Sequence, residues 1–341
     1  MRKLFLVIVI LVMFAGCSNK EYVSSINVLN WSSYIPNYVI RDFEEKYNIK
    51  VNYSTYSSNE ELLAKVSGVG VGTYDLVFPS DYMVEIMKNK DIIQKVDKNR
   101  LSNYNFIEDR YLGLDYDSNN EYSIPFLTAS VVLAVNRDIV GDEIDSYNDL
   151  LKSDYKDSIV LIDDTRIVIG SALMALGYDI NSISDSELNE AMDWLLRLKS
   201  NVKAFDSDSP KSFMISKEAS IGLMWSAEAL LAKSMNNSIE IIVPNEGSIV
   251  SIDNFAIMNG SKKLNEVYLF IDYILSSDVM ENIISDYPYF SVNKETNKNF
   301  SMNYVMGSEY NRLNDSVVNN NRIRNIGQTI EKYDKIWASI K

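Results

Sequence analysis

Hydrophobic and polar positions along this chain switch between two periods, and the switching predicts short strands alternating with amphipathic helices. Ile26–Asn30 reads as a strand, Tyr38–Tyr47 as a helix, Val51–Ser54 as a strand, Asn59–Val66 as a helix, and Asp75–Phe78 as a strand that stops at Pro79-Ser80. That is the βαβ rhythm of a parallel sheet covered by helices. A second series follows the polar stretch Asp115–Glu121. There Ser123–Phe126, Val131–Val135 and Ser158–Ile162 look extended, and Tyr147–Leu151, Ile167–Leu176 and Glu187–Leu198 look helical. Ala219–Trp225 is expected as a strand leading into a helix to about Met235, and Asn254–Met258 as a further strand. Helices near Leu264–Leu275, Val279–Ser285 and Thr329–Ile340 complete the series, with the Asn-rich Asn314–Arg324 expected as loop. Two α/β units are indicated, without the internal repeat that would build a solenoid.

The first residues follow a different pattern. Arg2 and Lys3 precede an unbroken apolar run, Leu4–Ala15, which ends at Gly16, Cys17 and polar residues. This is an export signal, and it is shorter than the roughly 20 apolar residues that cross a bilayer. The one cysteine of the chain stands at its end, behind a small residue. Residues 1–17 are therefore expected to be a lipoprotein signal peptide with Cys17 acylated, although Phe14 is bulkier than the aliphatic residue usual at that position. Residues 18–22 would be a tether. Two acyl attachments suffice for stable membrane anchoring.

Composition narrows the chemistry. At 341 residues the chain suits two domains rather than one core. Its formal net charge is −14, and more negative still once Arg2 and Lys3 leave with the signal. Such a body repels nucleic acid and attracts small cations. The absence of histidine removes the commonest general base and metal ligand. With Cys17 acylated no free thiol is left, so Cys/His and Ser/His catalysis are excluded and a zinc site is disfavoured. No cofactor is expected, and binding rather than catalysis.

Open α/β sheets place ligands at the carboxyl ends of their strands, and several polar and aromatic clusters fall there. Asn30-Trp31-Ser32-Ser33-Tyr34 follows the first strand; its tryptophan can wall a slot or plug the core. In Phe78-Pro79-Ser80-Asp81-Tyr82, Ser80 or Asp81 can cap a helix or meet a ligand. Asp163-Asp164-Thr165-Arg166 offers two carboxylates where a strand meets a helix, one of them a candidate N-cap. Trp225-Ser226-Ala227-Glu228, Ile252-Asp253-Asn254 and Tyr287-Pro288-Tyr289 complete the set. Asp164, Glu228 and Asp253, with Trp31, Tyr82, Trp225 and Tyr287, combine acids with flat aromatic faces. Each face attracts an ammonium group by about 0.5–2 kcal/mol, and carboxylates fix ammonium groups by charge-assisted hydrogen bonds. A linear di- or triamine meets both requirements. An anionic ligand would want arginines at the strand ends, where Arg166 alone is well placed.

Several segments carry a family resemblance: Asn-Trp-Ser-Ser-Tyr (30–34), Val-Asn-Tyr-Ser-Thr-Tyr-Ser-Ser-Asn-Glu (51–60), Tyr-Asp-Leu-Val-Phe-Pro-Ser (74–80), Leu-Ile-Asp-Asp-Thr-Arg (161–166), Gly-Leu-Met-Trp-Ser (222–226) and Pro-Asn-Glu-Gly (244–247). On these the chain resembles the periplasmic spermidine/putrescine-binding proteins of ABC transporters. The resemblance implies a type II periplasmic binding protein, two α/β lobes joined by a hinge with the ligand cleft between them. Residues 23–128 plus 253–295 would form the first lobe and 129–252 plus 296–341 the second, with crossings near Phe126–Val131 and Ile249–Phe255. It implies ligand contacts at Trp31, Ser32, Tyr34, Ser80, Tyr82, Asp164, Trp225, Asp253 and Tyr287. Glu228 joins them because putrescine-preferring relatives carry an acid at that spacing. It also implies a polyamine (putrescine or spermidine) as partner, ABC permease subunits in the membrane, and a periplasmic, lipid-anchored location. Spermidine-binding relatives have glutamates where this chain has Ser33 and Ile167, a second cleft tryptophan at Ser251, and a glutamine near Ile323. Those departures leave both amines open and tilt the balance toward the diamine.

Overall fold

A computed structural model describes residues 21–70, 72–303, 306–317 and 321–341; the expected signal peptide and Cys17 lie outside the described residues. Strand β1 (Ser24–Trp31) is followed by α1 (Asn37–Tyr47), β2 (Ile49–Tyr56), α2 (Asn59–Ser67), β3 (Leu76–Val77) and α3 (Asp81–Asn89). The helix α2 starts where Ser58 accepts a hydrogen bond from the Glu61 amide, which satisfies one of the free N–H groups of its first turn. β1 lies between β2 and β3 and is parallel to both. The expected βαβ rhythm is present in this half.

The long strand β4 (Ile124–Asn136) is buried at every residue. Two short strands are expected there, because Thr128-Ala129-Ser130 interrupts the apolar run; one continuous strand forms instead. The small residues stay extended because β9 (Ile249–Ile257) pairs alongside, Thr128 opposite Ile252 and Ser130 opposite Val250. β9 likewise begins five residues earlier than the apolar pattern from Asn254 predicts. Beyond β4 come β5 (Ile159–Leu161), α4 (Thr165–Ala175), α5 (Asp185–Leu198), β6 (Val202–Phe205), α6 (Pro210–Ile215), β7 (Ile221–Trp225), α7 (Ser226–Met235) and β8 (Ile239–Ile242). The sheet runs β2-β1-β3-β9-β4-β7-β5-β6, with β8 also on β4. β4 thus serves two groups of strands. Its first half pairs with β9, and Val131–Asn136 pairs with β7 and β8.

After β9 come α8 (Leu264–Leu275), α9 (Ser277–Asp286), β10 (Phe290–Ser291), α10 (Lys294–Asn303), α11 (Gly307–Ser316), β11 (Asn321–Arg322) and α12 (Ile330–Ile340). The loop expected at Asn314–Arg324 therefore holds the end of a helix and a strand, β11, that pairs with β9 at Ile249 and Val250. The expected division at residue 295 falls inside α10. Asn297 donates to Glu108 at 2.6 Å, so α10 leans on the first half, whereas α11 touches both: Arg110 donates to Asn314 at 3.0 Å and Phe290 packs on Tyr310 at 5.2 Å, while Arg312 donates to Ile241 O at 2.8 Å. β11 and α12 lie against the second half, where the Tyr333 hydroxyl donates to Ser182 O at 2.9 Å.

Phe78, Phe126 and Phe255 join β3, β4 and β9 behind the strand ends. Their ring centroids are 4.7 to 5.4 Å apart and none of the three is exposed. Phe126 sits at the register shift between Pro125 and Leu127, which turns its ring into this cluster. Phe126→Ala is expected to lower stability by about 3–5 kcal/mol through the cavity it leaves. Phe106→Ala, at a partly exposed position, is expected to change it by about 0.5 kcal/mol or less; urea unfolding of the two variants checks the difference.

Candidate functional site

The carboxyl ends of β1, β3, β5 and β7 converge with the middle of β9 on one narrow cleft. It encloses about 100 Å3, too little for a drug-sized molecule, whose pockets start near 300 Å3. Trp31, Ser32, Tyr34, Ser80, Tyr82, Asp164, Trp225 and Asp253 all line it. Glu228 and Tyr287 do not.

Trp31 is fixed by its indole N–H, which donates to the Phe78 carbonyl at 3.0 Å, and by the Tyr56 ring 4.6 Å away. The Tyr56 hydroxyl donates to the same carbonyl at 2.6 Å. The tryptophan is therefore a pinned wall, not a core plug. Ser33, at φ 52, takes the left-handed conformation that turns the chain sharply, and Tyr34 passes back beneath the cleft.

There the Tyr34 hydroxyl donates to Asp253 Oδ2. Ser80 donates to Oδ1 at 2.6 Å and Ser251 at 3.5 Å. Asn59 holds Ser80 from both sides, accepting from its amide at 3.2 Å and donating to its hydroxyl at 3.1 Å. A β-bridge between Ser80 and Asp253, with the Asn254 amide 2.9 Å from Pro79 O, brings these segments together. Asp253 is 8% exposed and, among the described residues, has no lysine or arginine partner. Burial pushes its carboxyl up to about 6, against the pull of the Ser80 and Tyr34 hydroxyls.

Asp164 is the N-cap of α4 and also lines the cleft. Its Oδ1 accepts from the Arg166 and Ile167 amides at 2.8 and 2.9 Å, capping α4, and the same side chain faces the cleft. Desolvation raises it to about 6 in spite of these bonds. Asp81, also in the lining, is raised to about 7 by burial although Arg322 opposes the shift. Tyr82 donates to Glu60 at 3.2 Å, and burial holds its phenol well above 10.

Two candidates lie elsewhere for definite reasons. Both Glu228 oxygens accept from Lys211, at 2.9 and 2.8 Å, so this acid is already neutralised within its own lobe. Tyr287 is part of a tight turn in which the Tyr289 amide donates to Tyr287 O at 2.7 Å. That turn gives the cleft the second tyrosine of the motif, Tyr289, 4.6 Å from Tyr34.

The pattern of strands also missed Asp208 and Ser207, which reach the cleft from the end of β6, a strand with no strong apolar signal. Asn59 and Ser57, by contrast, stand in the link between an expected strand and the start of an expected helix and could have been found there.

The lining thus carries Asp81, Asp163, Asp164, Asp208 and Asp253 and, among the described residues, no lysine or arginine. Asp81 pairs with Arg322 and Asp163 with Lys341, which leaves Asp253, Asp164 and Asp208 without an ion pair. Such a cleft repels anions and holds cations against aromatic faces. No group of three or more potential metal ligands occurs among the described residues. No helix there is long and apolar enough to cross a membrane.

A family model for bacterial extracellular solute-binding proteins matches residues 72–321, and one for a hypothetical lipoprotein (MG045 family) matches residues 1–112. The spermidine/putrescine-binding periplasmic protein of Salmonella typhimurium is 35% identical over 270 residues, 79% of this chain and 78% of that protein. Its namesake from Escherichia coli is 32% identical over 313 residues, 92% of this chain and 90% of the other. In the crystal structure of the Tp0655 (TpPotD) lipoprotein of Treponema pallidum, 26% identical, the fold superposes with a TM-score of 0.81 over 93% of this chain and 99% of that one. These matches agree with the two strand groups joined through β4 and β9, and the chain belongs to the bacterial extracellular solute-binding protein family with the two-lobed type II binding-protein fold.

Proposed function

We propose that this protein is the extracytoplasmic receptor of an ABC importer for polyamines, putrescine or spermidine. The observation that carries the reading is Asp253, a desolvated carboxylate aimed by hydroxyl groups and given no cation by the described residues. One ammonium of the ligand meets Asp253, the alkyl chain lies along Trp31, Trp225 and Tyr289, and a second ammonium meets Asp164 or Asp208. Tyr34 and Ser80 act through Asp253 as positioning residues. Glu228 and Tyr287 are left out of the contact set. The names of the relatives support the ligand class, and the diamine is favoured because Ser33, Ile167 and Ser251 supply neither the extra acids nor the wall that a triamine would use.

In this reading the first lobe runs over residues 23–128 and 253 to about 303, the second over 129–252 and 321–341, α11 bridges them, and the lobes close about the shared strands β4 and β9. The closed form docks on membrane permease subunits. Acylation of Cys17 anchors the protein to a bacterial membrane on its periplasmic side, and the lipoprotein model that covers residues 1–112 and the lipoprotein among the relatives support the anchor.

Removing one partner of a desolvated charge pair costs about 2–5 kcal/mol. Asp253→Asn is therefore expected to weaken putrescine binding in calorimetry by about 100-fold or more, and Glu228→Gln by about threefold at most, since Lys211 already holds that acid. Equal losses in the two variants contradict the assignment.

The raised carboxyls give binding a pH dependence. In the free protein Asp253 and Asp164 hold protons up to pH about 6, against about 4 in an unfolded chain. Their contribution to stability is therefore full at low pH and lost as the pH rises through 6. A cationic ligand requires the ionised form, so affinity runs the opposite way. Putrescine is expected to bind roughly tenfold more weakly at pH 5 than at pH 7.5 if Asp253 alone must ionise and roughly a hundredfold if Asp164 must as well, with proton release on binding at pH 5.5. Calorimetry in two buffers of different ionisation enthalpy measures that release, and none at pH 5.5 contradicts the reading.

A further inference from the structure

Beside the cleft, and sharing Asp81, Tyr82 and Ile323 with it, lies a second pocket walled by Asp115, Arg322 and Arg324. The backbone that carries Arg322 belongs to the second lobe. β11 continues on β9 at Ile249 and Val250. Asn181, between α4 and α5, donates to Arg322 O at 3.0 Å and accepts from the Arg324 amide at 2.7 Å. Arg166 of α4 donates to Arg324 O at 3.1 Å.

The Arg322 side chain reaches the other way. Its guanidinium lies 3.4 Å from Asp81 at the start of α3, 2.5 Å from Asp115 in the turn Asp115–Asp117, and 5.8 Å from the Tyr116 ring centroid. All three partners are in the first lobe, and Arg324 adds a second interlobe pair to Asp115 at 3.4 Å. A planar fork serves two carboxylates and an aromatic face at once, which the single ammonium of a lysine does not.

We propose that Arg322 is an interlobe latch, carried by the second lobe and paired with Asp81 and Asp115 of the first, that favours the closed clamp. Separation of the lobes draws the guanidinium away and leaves Asp81 without a counter-charge unless water enters. Ion pairs give up in hydration much of what they gain in attraction. The bias is therefore modest, which suits a clamp that must reopen to deliver its cargo. It acts whatever molecule the cleft holds, and it removes Asp81 from the acids free to meet a ligand.

The test uses the mature chain, carrying Cys17→Ser so that it is soluble, in unaltered form and with Arg322→Met or Asp115→Asn. Asp115 lines the second pocket but not the cleft, so its variant leaves the ligand contacts in place. Small-angle scattering of the ligand-free proteins is the deciding readout, and both variants are expected to be more expanded than the unaltered protein. Stopped-flow release of putrescine is expected to be at least about tenfold faster for Arg322→Met and about threefold faster for Asp115→Asn. Raising salt from about 0.05 M to about 1 M is expected to speed release from the unaltered protein more than from Arg322→Met, which keeps the Arg324–Asp115 pair and the ligand's own charge contacts. Where Arg322→Met fails to fold by circular dichroism, Asp115→Asn decides. Scattering curves that superpose on that of the unaltered protein overturn the latch. Failure of the unaltered protein to bind putrescine overturns the ligand reading instead, and the scattering comparison still judges the latch.

Discussion

A carboxylate taken out of water needs a positive charge, and at the centre of this cleft the described residues supply none. Asp253 receives the hydroxyls of Tyr34, Ser80 and Ser251, which orient its oxygens and partly offset its desolvation. Hydroxyls do not neutralise it. A buried charge left in that state is unfavourable by several kcal/mol, and the protein meets the cost by holding the carboxyl at about 6. In the proposed reading a bound ammonium removes the penalty, so recognition would draw its strength from an unfavourable feature of the free protein.

The rest of the cleft follows from keeping that carboxylate in place. β9 carries Asp253 between β3 and β4, the Phe78, Phe126 and Phe255 cluster fills the space behind, and Asn59 locks the serine that aims one oxygen. β4 and β9 also pass from one group of strands to the other, so the floor of the cleft and the hinge are the same two strands. Ala129, Val250 and Ser251 line that floor. Small or slender side chains there leave room for a ligand along the crossing.

Much of this was legible in the order of residues, and the exceptions have physical causes. Trp31, Ser80, Asp164 and Trp225 could be singled out because each stands at the end of a strong apolar run, where an α/β sheet presents ligand contacts. β4 reads as two strands because Thr128-Ala129-Ser130 looks like a break, and only pairing with β9 keeps it extended. β11 is two residues long and owes its conformation to a partner more than 70 positions earlier, so no local pattern reveals it. Glu228 has the right spacing from Trp225, yet its role depends on Lys211, 17 positions away. Tyr287 and Tyr289 are equivalent in sequence, and the turn between them decides which ring faces the cleft.

The central claim is that this cleft reads a small molecule with more than one ammonium group. Calorimetric titration of the soluble body, Ser18 to Lys341, with putrescine, spermidine, spermine and cadaverine, and with glutamate and glucose as controls, tests it most directly. The account predicts one-to-one binding of at least one of these amines, putrescine foremost, and no heat from either control. Absence of heat and of any thermal shift with every amine, or binding of glutamate in their place, would contradict it.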